Sequence, residues 1–373
     1  MTLRPLSIIL TASGCPGAST LIRMLKDNGE REVRIHALDA RPDAIGRFLG
    51  DSFSLVPWGT SVDYIEALLQ QVERRRPDIL FVQSSLEVGP VSRRKDELER
   101  LGTRVLVGEP GGIDACNDKA AMHAALLDTP VRQPDLIVPT SLDEFVIGAH
   151  RLGYPERPVC FKPPVAKGSR GFRVLRADVD RVRHLLCERP SDVVMTLDEF
   201  VSLFRDAVEF PRLMLMEYVE GVEHTVDALV EDGRMLLQQT KTREAIDTGL
   251  AMAFRTVERP DLVAAAHHIC RALQLDWFVN IQFKGDRLLE VNPRVSTFVY
   301  QEDFNLPYLG IKRALGELSD DALPGLQARV RSSRRTVRYY DQVFWDATAG
   351  SGTAASGVGG TRGAGDQSGA DGR

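Results

Sequence analysis

The sequence predicts a chain of mixed class, α/β in its first third and α+β beyond, and two observations carry that reading. Over the first hundred residues, strand-like apolar runs alternate with helical ones. Over the next two hundred, strand patterns dominate and recur in pairs joined by hairpin turns. A third observation marks the end: residues 350–373 hold nine of the 31 glycines and almost no bulky apolar side chain.

The opening elements are the strand runs "LSIILTA", "VRIHALD", "DILFVQS" and "RVLVG", with helical runs "ASTLIRMLKDNG", "VDYIEALLQQVERRR" and "VSRRKDELERLG" between them. Parallel neighbours need crossovers, so this rhythm predicts a Rossmann-like parallel sheet flanked by helices over residues 1–112. A helix is expected in "IDACNDKAAMHAALLDT", capped at its start by Asn117 or Asp118. The strands "PVCFKPP", "GFRVLR", "LMLMEYV", "HTVDALVEDGRMLLQQTKT" and "FVNIQFKGDRLLEVNPR" follow, and the "EDGR" and "KGDR" turns make this half largely antiparallel. Helices are expected at "SLDEFVIGAHRLG" and "DLVAAAHHICRALQ", and the tail from 346 to 373 is expected to be disordered.

Composition excludes several function classes. With 43% hydrophobic and 27% charged residues the chain is an ordinary globular one. A formal charge of −5 gives no global attraction to nucleic acid or to an anionic membrane, so an anionic ligand must be met by a local cluster. Five cysteines without C-x-x-C spacing read as reduced cytosolic thiols. The apolar run "PLSIILTA" is too short to span a membrane and leads into a glycine turn, so a cytoplasmic protein is expected.

Four stretches could carry chemistry. "TASGCPGAS" follows the first strand and, with Asp39, suggests a dinucleotide turn, but the G-x-G-x-x-G pattern is missing and a plain strand-to-helix turn accounts for Gly14 and Gly17. In "CFKPPVAKGSRGFRVL" the strand with Lys162 runs into the glycine-bearing loop Lys167, Gly168, Ser169, Arg170 and Gly171, which could cover a polyphosphate or be a basic hairpin. "LMLMEYVEGVEHTVDAL" is a connector that could offer backbone groups to a purine edge, or a hairpin with exposed acids. In "LLEVNPRVST", strand alternation sets Glu290, Asn292 and Arg294 toward one side: a carboxylate, an amide oxygen and a fixed cation. His267 and His268 are adjacent on a helix and cannot form an i, i+4 metal pair.

In this order and at these separations, "NDK" at 117–119, the Lys162–Gly171 loop, "MEYVEG" with Glu223, and "VNIQF" followed by "LLEVNPR" resemble the ATP-grasp enzymes. The texture is that of the synthetase domains of carbamoyl-phosphate synthetase and of stand-alone carboxylate-amine ligases, over about residues 1 to 320. The resemblance implies an ATP-grasp domain over 113–345, with a small lid subdomain about 135–216 and a larger metal and acceptor subdomain about 217–345. It implies that Lys119 and Lys162 contact ATP phosphates under the loop Lys167, Gly168, Ser169 and Gly171. It further implies that Glu217 accepts the adenine amine, that Tyr218 and Val219 offer backbone groups, and that Glu223 holds the ribose. Gln282, Glu290 and Asn292 would bind two Mg²⁺ ions, for which Mn²⁺ can substitute, and Arg294 would stabilise the transferring phosphoryl group. Gln282 departs from the many relatives with a carboxylate there; the amide lowers the ligand charge and would weaken one metal site, although the carbamoyl-phosphate branch tolerates it. Arg243 would bind a substrate carboxylate, or else sit in a solvated loop.

The expected activity is that of an ATP- and Mg²⁺-dependent ligase joining a small carboxylic acid to an amine through an acyl phosphate. Neither nucleic acid nor membrane is an expected partner, and a homodimer is allowed because family members are often dimers. The alternatives are a carbamate-type phosphotransferase, a non-catalytic ATP-binding protein of the same fold, and a nicotinamide-dependent reductase resting on the Gly14 turn.

Overall fold

The computed structural model describes residues 3–166, 170–187, 191, 193–247, 250–296 and 303–346. Strands β1 (Leu6–Leu10), β2 (Val33–Asp39), β3 (Ser52–Leu55), β4 (Ile79–Phe81) and β5 (Arg104–Val105) form a parallel sheet in the order β3-β2-β1-β4-β5. Alternation sorts their side chains. Leu6, Ile8, Leu10, Ile79 and Phe81 pack with helix Ala18–Lys26, while Ile9, Leu38, Leu80 and Val82 pack with helix Tyr64–Arg75. Burial on both faces is why these strands read as apolar runs rather than as alternating ones.

Strands β6 (Leu136–Ile137), β7 (Val159–Lys162), β8 (Arg173–Leu175), β9 (Val194–Met195) and β10 (Met214–Glu217) form a second sheet, ordered β6-β10-β7-β8-β9. It departs from the antiparallel expectation at one place. Helix Arg181–Cys187 carries the chain across between β8 and β9, and the two therefore pair in parallel. The core of this unit is aromatic: Phe145 stacks on Phe200 at 3.9 Å between centroids, and Phe161 meets Phe200 edge-on at 4.9 Å.

The remaining strands are β11 (Glu223–Glu231), β12 (Arg234–Thr242), β13 (Glu244–Asp247), β14 (Leu250–Arg255), β15 (Trp277–Lys284), β16 (Arg287–Asn292) and β17 (Arg335–Val337). The expected hairpins form. Asp232 and Gly233 both adopt positive φ between β11 and β12, and Gly285 does so between β15 and β16. They build an antiparallel sheet ordered β12-β11-β15-β16, while β13 and β14, next to Arg243 where a solvated loop was possible, join β17 in a small three-stranded sheet.

One helical run starts at its expected cap, with a further helix before it, and a second run divides in two. Asp118 takes an extended conformation between helices Pro110–Asn117 and Lys119–Ala125, and its carboxylate caps the second at Ala121 N. "VSRRKDELERLG" divides into Val88–Arg93 and Lys95–Arg100. The glycine-rich tail beyond Asp346 lies outside the described residues.

The β12-β11-β15-β16 sheet positions everything that follows. One face, with Val226, Val279, Ile281, Phe283, Leu288 and Val291, packs on helix Pro260–Ala272. The other face changes character along its length. At one end Leu229, Leu237 and Phe278 join Leu10, Phe81 and helix Leu306–Ala314 in a core shared with the N-terminal sheet. Phe278 stacks on Phe81 at 5.2 Å, and a Cβ on Gly310 would sit 2.3 Å from the Phe278 ring, so glycine alone fits there. At the other end the face is polar. Phe278→Ala is therefore expected to lower unfolding stability by about 3–5 kcal/mol, as for other large core truncations. Urea unfolding of the full chain checks this, and a loss below about 1 kcal/mol would show that the two sheets do not depend on a common core.

Candidate active site

The polar end of that face is built by register. Thr225 and Asp227 of β11 lie opposite Gln282 and Asn280 of β15, and Gln282 and Asn280 lie opposite Glu290 and Asn292 of β16. Strict alternation from the core residue Leu288 would have pointed Glu290 into the apolar face. It does not, because the register of β16 shifts at this point, pairing Phe283 with Leu288 but Gln282 with Glu290. The unpaired Leu289 is a β-bulge that turns Glu290 toward the site.

A cavity of about 290 Å³ opens over this face. Lys119, Lys162, Glu217, Tyr218, Val219, Glu223, Arg243, Gln282, Glu290, Asn292 and Arg294 all line it, so five separate segments of sequence converge on one space. Gly171 is absent from the lining. Its φ is +74°, and a Cβ there would sit 2.6 Å from the Pro163 ring, so it shapes the loop's return. Lys167, Gly168 and Ser169 lie outside the described residues.

Electrostatically the centre is Glu290. Burial alone would raise its pKa, but the charges of Lys162 and Lys119, a hydrogen bond from Asn292 Nδ2 at 3.1 Å and the charge of Arg294 outweigh it and hold the carboxyl below its usual range. The Lys119 ammonium lies 3.8 Å from Glu290 Oε2 and donates to Ala166 O at 2.8 Å. Burial, with the neighbouring Lys119, lowers the Lys162 pKa against the opposing pull of Glu290. Burial also pushes the Cys160 thiol up to about 12, so the cavity holds no ready thiolate there.

Beneath the cavity runs a chain of polar contacts that sequence reasoning passed over. Lys241 and Asp227, each 2% exposed in its side chain, form a buried ion pair. Asn280 Nδ2 donates to Asp227 at 2.5 Å, and Gln282 Nε2 donates to Asn280 Oδ1 at 3.1 Å. Arg243 then donates to Gln282 Oε1 at 2.8 Å and to Glu223 Oε2 at 2.9 Å. Arg243 thus ties the expected ribose acid to the expected metal amide in this state. Asp227 and Asn280 were findable: they stand at strand-period steps from Glu223 and Gln282. Ser85 was not, since it comes from the loop after β4 and accepts from Arg294 Nε at 2.7 Å.

The donor set suits a hard cation. Glu290 supplies a deprotonated carboxylate, and Asn292 and Gln282 supply amide oxygens; among the described residues no group of three His, Cys, Asp or Glu gathers anywhere. One carboxylate with amides matches Mg²⁺, which takes few protein ligands and keeps phosphate oxygens and water for the rest. The alternative turn at Gly14 is spent on itself: Asp39 accepts from Gly14 N at 2.7 Å and from Arg41 N at 2.9 Å.

The loop carrying Ser85 ends on Glu87, a buried acid that accepts from Thr11 Oγ1 at 2.6 Å. Burial, with Asp39 adding to it, pushes its pKa up to about 7. The native state therefore keeps a proton that the unfolded chain has lost, and stability should fall between about pH 4.5 and about pH 7, by at most about 1.4 kcal/mol per pH unit from this group. Glu87→Gln should remove that slope and leave the variant more stable than the parent at pH 8. Chemical denaturation at a series of pH values checks it, with an unchanged slope as the contrary result.

Comparison with known proteins agrees with this geometry. Residues 209–336 match the family model described as ATP-grasp in the biosynthetic pathway with Ter operon. The chain is 24% identical over 289 residues to the carbamoyl phosphate synthase large chain of Methanosarcina mazei, covering 72% of this chain and 25% of that one. It is 34% identical over 144 residues to carnosine synthase 1 of Mus musculus, covering 34% of this chain and 17% of that one. The chain thus spans about a quarter of the length of the carbamoyl phosphate synthases. Among solved structures, N5-carboxyaminoimidazole synthetase from Staphylococcus aureus complexed with ADP superposes with a TM-score of 0.56 at 11% identity, over 79% of this chain and 72% of that one. The biotin carboxylase domain of Hydrogenobacter thermophilus 2-oxoglutarate carboxylase, with MgADP and bicarbonate, gives 0.60 at 14% identity, over 84% and 70%. Among the described residues no helix is long and apolar enough to cross a membrane.

Proposed function

Because the chain carries an ATP-grasp domain homologous to that of the carbamoyl phosphate synthase large chain, we propose that it is an ADP-forming ligase that joins a small carboxylic acid to an amine in the cytoplasm. The observation that carries the reading is the cluster of Lys119, Lys162, Glu290, Asn292 and Arg294 about one cavity. It combines cations for a polyphosphate with oxygen donors for Mg²⁺.

Each residue then has a task. Lys119 and Lys162 neutralise phosphate oxygens, and the lowered pKa of Lys162 reflects a cation kept poorly solvated until an anion arrives. Glu217, Tyr218 and Val219 face the base, and Glu223 faces the sugar. Glu290 and Asn292, with Gln282 once Arg243 moves aside, would hold Mg²⁺, which supplies charge neutralisation between the terminal phosphates. Arg294, whose Nε donates to Ser85, supplies a fixed positive charge that stabilises the phosphoryl group in transit. Lys119 and Lys162 thereby hold the phosphates of the nucleotide within the cavity.

The substrate carboxylate attacks the γ-phosphorus, ADP departs, and an acyl phosphate results. The amine then attacks the acyl carbon, phosphate leaves, and the nitrogen loses a proton to give the amide. Activation is required because a carboxylate is a poor electrophile, and no side-chain nucleophile takes part. A second reading, phosphorylation of a carbamate, is favoured by Gln282 in place of a carboxylate and by the carbamoyl phosphate synthase relatives. ADP release measured over a panel of carboxylic acids, each with and without amines, separates the two: the ligase needs both partners for full turnover.

On any acid that supports turnover, Glu290→Gln should raise the Mg²⁺ concentration for half-maximal rate and slow the reaction roughly a hundredfold to a thousandfold, the usual effect of removing one electrostatic stabiliser. Unchanged Mg²⁺ dependence with near-normal ADP release would remove Glu290 from the metal site.

A further inference from the structure

Lys284 of β15 lines the same cavity, beside Cys160, Met216 and Tyr218, and has no part in the roles given above. Strand register sets it directly opposite Glu223 of β11. Facing positions on antiparallel strands hold their Cβ atoms about 4.5–5.5 Å apart, close enough for a lysine and a glutamate to pair. These two part instead. Glu223 turns to Arg243 at 2.9 Å, while the Lys284 ammonium lies 4.7 Å from the centre of the Tyr218 ring and 3.5 Å from its hydroxyl. Among the described residues no carboxylate stands within ion-pair distance of Lys284. Both side chains line the cavity, so the gap between them is open to a ligand.

A separated ammonium and carboxylate match one chemical group well: a vicinal diol. One hydroxyl donates to the carboxylate, and the other oxygen accepts from the ammonium. We propose that Lys284 is a specificity-determining residue that donates to a ribose hydroxyl of the bound nucleotide, so that the site selects ribonucleotides over deoxyribonucleotides. The inference rests on the nucleotide reading of the cavity given above. The Tyr218 ring pre-sets the ammonium, which reduces the rotamer freedom lost on binding. A purely structural role as a clasp is already filled by others: Gly285 N donates to Val222 O at 3.0 Å and ties this hairpin to the connector without the lysine side chain.

Isothermal titration of the full chain with ATP, 2′-deoxy-ATP and 3′-deoxy-ATP, in the presence of Mg²⁺, tests it. The parent should bind ATP at least about tenfold more tightly than one of the two deoxy analogues, since a hydrogen bond to a charged group has that worth. Lys284→Met and Lys284→Gln should bind ATP and that analogue alike, with melting temperatures equal to the parent's. A parent that binds all three equally would overturn the proposal. So would variants that keep the parent's ratio, or that weaken all three ligands by the same factor, which is the behaviour of a clasp. A parent that binds none of the three would overturn the nucleotide reading itself, a result distinct from loss of sugar selectivity.

Discussion

One extra residue in β16 decides whether this protein has a site at all. Leu288 is anchored in the apolar core beside Phe283, and without the bulge at Leu289 the next alternate position would carry Glu290 into that core. A lone carboxylate there would have no partner and would be neutralised. With the bulge, Glu290 emerges between Lys162 and Lys119, where charge keeps it ionised. The two lysines arrive from a different sheet and from a helix N-terminus, so the position of β16 governs how three parts of the fold meet.

The cavity's charge balance follows from that meeting. Its lining holds seven cationic side chains, Lys119, Lys162, Arg170, Lys241, Arg243, Lys284 and Arg294, against three carboxylates, although the whole chain carries a net charge of −5. Lys241 is balanced by Asp227 below the floor, and Arg243 by Glu223. That leaves Lys119, Lys162, Arg170, Lys284 and Arg294 against Glu217 and Glu290, a positive excess that a polyphosphate with its cation would offset. Arg243 bridges Glu223 and Gln282 in the structure, so the sugar and metal positions proposed for these two residues would fill together only if that bridge loosens.

Much of this was legible in the sequence, for local reasons. The apolar runs gave away the parallel sheet, "EDGR" and "KGDR" gave the hairpins, and residues two apart, Glu290 and Asn292, do share a face. What escaped was set by tertiary contact. Ser85 reaches Arg294 from over two hundred residues away, and nothing in its own neighbourhood marks it. The bulge at Leu289 leaves no trace in composition. The Lys241–Asp227 pair is buried by strands whose other residues read as ordinary half-buried alternation. The parallel pairing of β8 and β9 depended on a short helix whose exposed Leu185 and Leu186 give no amphipathic pattern to read.

The most direct measurement is a crystal of the full chain grown with Mn²⁺ and a non-hydrolysable ATP analogue, with the metal located by its anomalous scattering. The account predicts a manganese peak in coordination contact with Glu290 and with terminal phosphate oxygens, and a triphosphate running past Lys162 and Lys119. A nucleotide seated elsewhere, or a metal held on the phosphates alone with Glu290 still turned to Lys119 and Asn292, would contradict it.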